Sequence, residues 1–288
     1  MKLGGDDRGV SHVLRLLVLE GNTLAGRRRW AEIAGATPSE SYADVLRALA
    51  PRATIDICTP ADADARLPQP LDAYQGVVIT GSALNIYQRE PESLRQIELV
   101  REIFAHGAPM FGSCWGLQLA AVAAGGEVAL NPAGREVGFA RKIALTEAGR
   151  SHPMHAARNP VFDAPAVHSD IITRLPSNAT VTAANAMSKV QAAEIHSGRG
   201  RFWGVQYHPE FSLQDVAAVI RRYGQVLVDE GFSAHRADFE RYAVDLVTLH
   251  HDRARRDVLW RLGLDDDVAD DEMRQVEIKN WIASIGRR

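Results

Sequence analysis

The segment Phe111–Leu119 constrains the fold of this chain most strongly, because in it a short apolar strand runs directly into an alanine-rich helix. Cys114 stands at the junction, with one glycine two residues before it and another two residues after it. Small residues on both sides allow the sharp strand-to-helix turn of a nucleophile elbow, here with sulfur in place of the usual hydroxyl. A cysteine at a helix N-terminus meets unpaired N–H groups that stabilise negative charge. The segment therefore predicts a displayed nucleophile.

A second segment, Trp203–Glu210, supplies the groups that such a nucleophile needs. It ends an apolar strand with His208, and Glu210 follows two residues later. In extended backbone, residues i and i+2 share a face, so the carboxylate can reach the imidazole. It would then hold the ring tautomer and stabilise the imidazolium. We expect Cys114, His208 and Glu210 to act as nucleophile, base and orienting group.

Together these motifs resemble those of the class I, or triad-type, glutamine amidotransferases. Gly-Ser-Cys-Trp-Gly-Leu-Gln at 112–118 is followed about ninety residues later by His-Pro-Glu at 208–210. Val-Ile-Thr-Gly-Ser at 78–82 is a third match. The stretches 131–138 and 166–170 are similar to the glutaminase domains of GMP synthetase-like proteins. The resemblance covers roughly residues 13 to 228.

The resemblance implies roles for further residues. The backbone N–H groups of Gly81 and Trp115 would form the oxyanion hole, which stabilises the tetrahedral intermediate. Gln118 lies one helical turn after Cys114 and would help to bind the substrate. His168 would lie beside the active site. It could either contact the substrate or fix its own loop by local hydrogen bonds.

The implied chemistry is hydrolysis of the side-chain amide of glutamine. Cys114 would attack the γ-carboxamide, His208 would protonate the departing ammonia, and water would release glutamate from the thioester. This chemistry requires no metal and no cofactor. The chain contains neither a Walker sequence nor a pyrophosphatase loop for using the ammonia, so either a separate synthetase subunit accepts it or the protein acts alone.

Two alternatives stay open at this stage. A protein that acts alone could be a γ-glutamyl peptidase or hydrolase, which would use the same triad on γ-glutamyl compounds with a leaving amine larger than ammonia. The other alternative is a catalytically idle binding or regulatory module that keeps the fold. The intact set of Cys114, His208 and Glu210 argues against the idle module.

The order of apolar segments predicts the fold class. Strands and helices alternate up to Gly126, which favours an α/β fold with a doubly wound, mainly parallel sheet. The resemblance implies the flavodoxin-like, class I glutaminase type. We expect this domain to span residues 13–230 and a helical C-terminal extension to span 231–288. The extension is too small to be stable alone and should pack on the domain or on a second copy.

Two local predictions are specific enough to be tested. A helix over 42–49 should be capped by Ser39 or Ser41, and residues 237–262 and 270–285 show helical spacing. The basic run 27–29 is interpreted as a solvated loop or helix face.

Composition limits the partners and the compartment. A net charge of −3 gives no reason to expect nucleic acid, and no apolar run approaches the ~20 residues that a membrane span needs. Residues 1–8 lack the apolar core of a secretory signal. Two widely separated cysteines do not form a disulfide framework, and Cys58 has no catalytic context. We therefore expect a cytoplasmic protein whose oligomeric state is open.

Overall fold

The computed structural model describes residues 14–285, and within them nine strands form one central sheet. The sheet order is β2-β1-β3-β4-β11-β10-β9-β6-β7, and β5 pairs with β8 in a separate two-stranded sheet. The strands are β1 (Arg15–Leu19), β2 (Thr54–Cys58), β3 (Gly76–Ile79), β4 (Met110–Ser113), β5 (Glu127–Leu130), β6 (Glu136–Leu145), β7 (Val161–His168), β8 (Asp170–Arg174), β9 (Ala179–Ala184), β10 (Ala192–Ser197) and β11 (Gly200–Val205).

The first half of the sheet is parallel and the second half is antiparallel. Each neighbouring pair along β2-β1-β3-β4-β11 is parallel, whereas β11-β10-β9-β6-β7 pair antiparallel. The central parallel strands β1, β3 and β4 are short and mostly apolar because helices cover both of their faces. The predicted doubly wound, mainly parallel α/β core is confirmed.

Eleven α-helices lie within the described residues. They are α1 (Leu24–Ala34), α2 (Pro38–Leu49), α3 (Pro91–His106), α4 (Trp115–Ala123), α5 (Glu147–Ser151), α6 (Leu213–Asp229), α7 (Arg236–His251), α8 (Arg256–Leu262), α9 (Asp266–Ala269), α10 (Asp271–Arg274) and α11 (Val276–Ile285). Helices α3 and α4 pack in one apolar cluster with the sheet, and α2 and α11 pack in a second. Residues of α6 to α9 form a third.

The C-terminal helices pack on the domain, which is one of the two predicted arrangements: α7 to α9 pack with α6, and α11 packs on the sheet. Ile278, Trp281 and Ile285 lie in the same buried cluster as Val78 of β3. The contact is so close that a Cβ on Gly76 would come within 2.8 Å of both Trp281 and Ile285. Helix α11 therefore covers one face of the parallel strands. The boundary at residue 230 stays a prediction.

Three local predictions need correction. Thr37, not Ser39 or Ser41, caps α2, because Thr37 and Glu40 form a reciprocal capping box. The predicted helix over 237–262 is interrupted between α7 and α8, where Asp252 Oδ1 accepts the Ala254 N–H in a turn.

The basic run is the third correction. It lies on α1, where Arg28 and Arg29 are exposed but Arg27 is buried in an ion pair with Asp62, at 2.7 Å. The prediction for residues 1–8 lies outside the described part of the chain. Within residues 14–285 no helix is long and apolar enough to cross a membrane.

The parallel strands end side by side, which positions the site. Strands β1, β3, β4 and β11 end at Leu19, Ile79, Ser113 and Val205. In open α/β sheets, ligands bind in the crevice outside these carboxyl ends. The loops that follow the four strands carry most of the predicted site residues.

Candidate active site

Cys114 lies at the sharp turn between β4 and α4. Its backbone has φ 53° and ψ −103°, a strained conformation for a residue with a side chain. The Cys114 N–H donates to Val205 O at 2.7 Å, which ties the turn to β11. The flanking glycines are needed, since a Cβ on Gly116 would lie 2.7 Å from Ile79 O and one on Gly112 would lie 3.0 Å from Gly116 Cα. The predicted elbow is thus present in the backbone.

His208 and Glu210 form a buried pair just after β11. His208 Nδ1 lies 2.7 Å from Glu210 Oε1, and the His208 N–H donates to Pro165 O at 2.7 Å. Phe211 stacks on the imidazole with a 4.0 Å centroid distance and 8° between the ring planes. Nε2 is buried, has no nitrogen or oxygen partner within residues 14–285, and has the Cys114 sulfur as its neighbour. The ring is therefore fixed on one side and free to exchange a proton on the other.

The electrostatics of this pair favour the imidazolium. Burial alone would lower the pKa of His208, but the charge of Glu210 and the neighbouring Cys114 sulfur outweigh it and raise the pKa to about 10. The imidazolium is the form that can protonate a leaving amine.

The predicted oxyanion donors lie in the first turn of α4 and on the loop after β3. Trp115 is the first residue of α4, whose first-turn N–H groups have no partner inside the helix. Gly81 follows β3, and no acceptor for its N–H lies among the described residues. A Cβ on Gly81 would come within 2.6 Å of His208 Cε1, so only glycine allows the His208 ring to pack against this loop.

The sequence did not reveal how this loop is held. Asn22 Nδ2 donates to Gly81 O at 3.1 Å, and Asn22 Oδ1 accepts the Ala83 N–H at 3.0 Å. Glu20 is fully buried and in turn accepts from the backbone and side-chain nitrogens of Asn22. A carboxylate directly after the aliphatic strand β1 was the available signal, because a buried charge needs fixed partners.

Gln118 and His168 lie at the cavity, with their donor groups already engaged. Gln118 Nε2 donates to Asp170 O and to Gln206 Oε1, both at 3.2 Å. His168 Nδ1 lies 3.0 Å from Asp170 O, and its Nε2 lies 2.9 Å from Glu136 Oε2. The His168 ring nitrogens thus fix the local backbone and are not free for substrate, which favours the second of its two open roles.

These groups line one cavity of about 270 Å³. Six of the predicted residues line it: Gly81, Cys114, Gln118, His168, His208 and Glu210. Trp115 is buried beneath, where its indole N–H donates to Gln96 Oε1. The volume is slightly below the usual range for drug-sized ligands and suits a small substrate.

The cavity also presents charges of both signs. Asp170 lines it and accepts from Asn85 Nδ2 at 2.8 Å. Arg135 and Arg222 line it as well. Arg135 is paired with Glu230 at 2.9 Å, whereas Arg222 has no ion pair within residues 14–285. The site can therefore contact both a cationic and an anionic group of a ligand.

Comparisons with known proteins agree with this geometry. The model of the glutamine amidotransferase class-I family matches residues 39–222. A γ-glutamyl-L-1-hydroxyisopropylamide hydrolase of a Pseudomonas species is 40% identical over 274 residues, which span 93% of this chain and 92% of that enzyme. A GMP synthase of Nitrosomonas eutropha is 30% identical over 179 residues, which span 60% of this chain but 32% of the synthase.

A solved structure shows the same fold. A glutamine amidotransferase from Thermotoga maritima has a TM-score of 0.66 at 17% identity, over 96% of this chain and 100% of that one. At this identity the likeness concerns the fold alone. The family match covers well over half of the chain, and the hydrolase from Pseudomonas aligns along nearly all of it. The chain therefore belongs to the class I glutamine amidotransferase family and is a cysteine-dependent amidohydrolase, as its motifs predict.

Proposed function

We propose that this protein acts alone as a hydrolase of γ-glutamyl amides, with Cys114 as nucleophile, His208 as acid and base, and Glu210 as orienting group. The observation that carries the proposal is the meeting of Cys114 and the unpaired His208 Nε2 at one cavity. The comparisons support a protein that acts without a partner subunit. The hydrolase from Pseudomonas aligns with this chain over 92% of its own length, whereas this chain spans only about a third of the GMP synthase.

The first half of the reaction forms a thioester. The Cys114 sulfur attacks the γ-carbonyl carbon, and the carbonyl oxygen takes up the negative charge between the N–H groups of Gly81 and Trp115. When the C–N bond breaks, His208 Nε2 donates its proton to the leaving amine. Glu210 stabilises the imidazolium before that transfer. The products of this half are the free amine and a γ-glutamyl thioester on Cys114.

The second half releases glutamate. Neutral His208 takes a proton from a water molecule, which attacks the thioester carbon. The same two N–H groups bind the second oxyanion. When the C–S bond breaks, the electrons return to sulfur and His208 keeps the proton. The enzyme is thus restored as a thiolate beside an imidazolium.

The charges at the cavity suit a γ-glutamyl group. Asp170 has the sign to contact the α-ammonium, and Arg222, which has no ion pair in the described part of the chain, has the sign to contact the α-carboxylate. Gln118 holds the backbone of Asp170 through its side-chain amide, so it supports this subsite. We propose the same supporting role for His168.

An aromatic wall favours an amine larger than ammonia. Trp30 stacks on Phe211 with a 5.5 Å centroid distance, Phe211 stacks on His208, and Trp30 and Phe211 line the cavity. The amine must leave from beside His208 Nε2, since that atom protonates it. Apolar rings next to this atom bury an alkyl group favourably, which ammonia does not have.

The second candidate function is a glutaminase that delivers ammonia to a separate synthetase subunit. The match to a GMP synthase over 179 residues favours it. The two candidates share the triad and differ in the leaving group and in the need for a partner. Two free cysteines support, for either candidate, a place in a reducing compartment such as the cytoplasm.

Glutamate release separates the candidates. The purified chain is assayed with glutamine and with γ-glutamyl isopropylamide, γ-glutamyl ethylamide and γ-glutamyl alaninol. We expect kcat/KM to be at least about 10-fold higher for a three-carbon amide than for glutamine, which is the effect of burying one or two methylenes. Preference for glutamine contradicts hydrolysis of larger amides and supports the ammonia-delivering alternative. Cys114→Ala is the control for contaminating activity.

A further inference from the structure

Glu210 has a second hydrogen-bond partner besides His208. Its Oε2 accepts a hydrogen bond from Ser113 Oγ at 2.8 Å, while its Oε1 faces His208 Nδ1 at 2.7 Å. Ser113 is fully buried, ends β4 and immediately precedes Cys114. The two carboxylate oxygens are therefore held from the ends of two adjacent parallel strands, since Ser113 and Val205 are partners in the register of β4 and β11.

Tyr42 of α2 extends this chain of hydrogen bonds. Its hydroxyl lies 3.2 Å from Ser113 Oγ. A carboxylate can only accept, so the single hydroxyl proton of Ser113 goes to Glu210, and Tyr42 is the donor to Ser113. Burial and the charge of Glu210 raise the pKa of Tyr42 well above its usual value, which keeps the phenol protonated. The direction is thus fixed from Tyr42 through Ser113 to Glu210.

The orientation of Glu210 depends on these bonds. The terminal torsion of a glutamate side chain has a broad minimum, so the torsion alone does not fix the carboxylate plane. Within residues 14–285, Glu210 has no lysine or arginine partner, and its ion pair is with His208. If Ser113 were absent, Oε2 would be buried without a partner, and the carboxylate would be free to turn toward other donors.

We propose that Ser113 is a positioning residue of the reaction, which fixes the carboxylate plane of Glu210 and through it the imidazole of His208. The inference rests on the proposed function, in which Glu210 orients the base. Ser113 contacts neither substrate nor reacting atoms in this arrangement. Its hydroxyl acts on turnover and not on substrate binding.

The test begins with Ser113→Ala and Ser113→Thr, assayed with γ-glutamyl isopropylamide. Loss of a hydrogen bond to a charged group predicts a kcat lower by roughly 10- to 100-fold in Ser113→Ala. KM should change by less than about two-fold, since the lost contact acts only on the catalytic step. Ser113→Thr retains the hydroxyl and should recover most of kcat. Thermal unfolding of both variants checks that the fold is intact.

A double-mutant cycle with Glu210→Gln shows whether Ser113 acts through Glu210. In the Glu210→Gln background, Ser113→Ala should change kcat by less than about two-fold, because the group that it positions is already altered. An undiminished loss in that background, or full kcat in folded Ser113→Ala, overturns the inference. If Ser113→Ala does not fold, Ser113→Cys replaces it, because a thiol is nearly isosteric with the hydroxyl and only a weak donor. Full kcat in folded Ser113→Cys would likewise overturn the inference.

Failure of the proposed function gives a different pattern. In that case Cys114→Ala or Glu210→Gln would itself keep wild-type turnover, whatever the Ser113 variants do. When both of those variants are impaired and Ser113→Ala is not, the triad stands and only the role of Ser113 is wrong.

Discussion

Tyr207 and His208 are adjacent in the chain, and each contacts a buried glutamate, but the two glutamates belong to different regions. Tyr207 donates to Glu277 Oε1 of α11 at 2.9 Å, and Arg158 donates to both Glu277 oxygens, at 2.9 and 2.6 Å. His208 contacts Glu210 at 2.7 Å. The first cluster fastens a helix to the sheet, whereas the second faces the cavity.

The difference lies in access to the cavity. In the Glu277 cluster the guanidinium of Arg158 does not release its proton in a protein, and the imidazole of His155 lies 3.4 Å from Glu277 Oε1, but none of these residues lines the cavity. In the Glu210 pair the imidazole of His208 lines the cavity, and its Nε2 has no hydrogen-bond partner among the described residues. A buried glutamate beside a titrating group therefore does not by itself indicate catalysis. An opening to a cavity is needed as well.

The largest expected effect is on Cys114. Cys114→Ala should lower turnover by about 10,000-fold or more, because no other described group is placed to form the thioester. Cys58→Ser should retain turnover, since Cys58 donates to Arg66 O and burial raises the pKa of its thiol. A diazo ketone analogue of glutamine should label Cys114 in a peptide map. Labelling of Cys58, with activity surviving in Cys114→Ala, would exclude this nucleophile.

The second effect separates orientation from proton transfer. Glu210→Gln should lower kcat by roughly 100- to 10,000-fold, since a neutral amide neither stabilises the imidazolium nor fixes its tautomer. His208→Ala should be worse, because a poorly held imidazole still accepts a proton. The measurement is kcat for both variants at one pH. Equal activity of Glu210→Gln and wild type would mean that the orienting group lies elsewhere.

The third effect should appear in stability and not in chemistry. Glu277→Gln leaves Arg158 buried without its counter-charge, which typically costs about 3–5 kcal/mol of unfolding free energy. The matched control is Glu240→Gln, which breaks the exposed pair with Arg221 and should cost less than about 1 kcal/mol. Urea unfolding measures both. A Glu277→Gln protein that is stable yet inactive would instead place Glu277 in the catalytic machinery.

The smallest effect is on the pH dependence of the unfolding free energy, which has opposite signs for Glu277 and His208. Burial would raise the pKa of Glu277, but the charge of Arg158 outweighs burial and lowers the pKa to about 2. The ionised Glu277 therefore adds to the free energy of unfolding above pH 4.5, and this addition is lost as the pH falls through 2. That contribution is about 3 kcal/mol. The pKa of His208 is raised to about 10, so the protonated ring adds to the free energy of unfolding below pH 6.5, and this addition is lost as the pH rises through about 10.

Unfolding free energies measured from acid to alkaline pH check this prediction. Glu277→Gln should weaken the acid dependence and leave the alkaline one, and His208→Gln should weaken the alkaline dependence and leave the acid one. Other carboxylates with a lowered pKa, such as Glu194, keep part of the acid dependence in both variants. Loss of the acid dependence in His208→Gln would show that the two glutamates are coupled and not separate.

The sequence predicted what is local in this fold. The elbow at 112–118 and the motif at 208–210 identify short backbone stretches whose residue types have few structural alternatives. The ends of helix α3 are marked by equally local signals, because Pro91 lies in its first turn and Gly107 ends it in the left-handed region. Such signals lie within a few residues of the feature that they predict.

The parts that could not be predicted depend on long-range contacts. Helix α1 has no clear apolar face, and the burial of Arg27 depends on Asp62, which is far along the chain. Ser113 appears in the motif as a small residue, and its bond to Glu210 spans 97 positions. The packing of Trp281 against β3 likewise needs the tertiary fold. No local pattern specifies these pairings.

The backbone strain at Cys114 has a consequence for selection. A residue with a side chain at φ 53° and ψ −103° costs on the order of 1–3 kcal/mol, and glycine tolerates positive φ far better. Among variants screened only for thermal resistance, replacement of Cys114 by glycine would therefore be enriched. In the proposed mechanism, cysteine stands at this position for its chemistry and against its conformational preference. A library selected for heat tolerance without an activity screen would drift toward an inert protein at this one position.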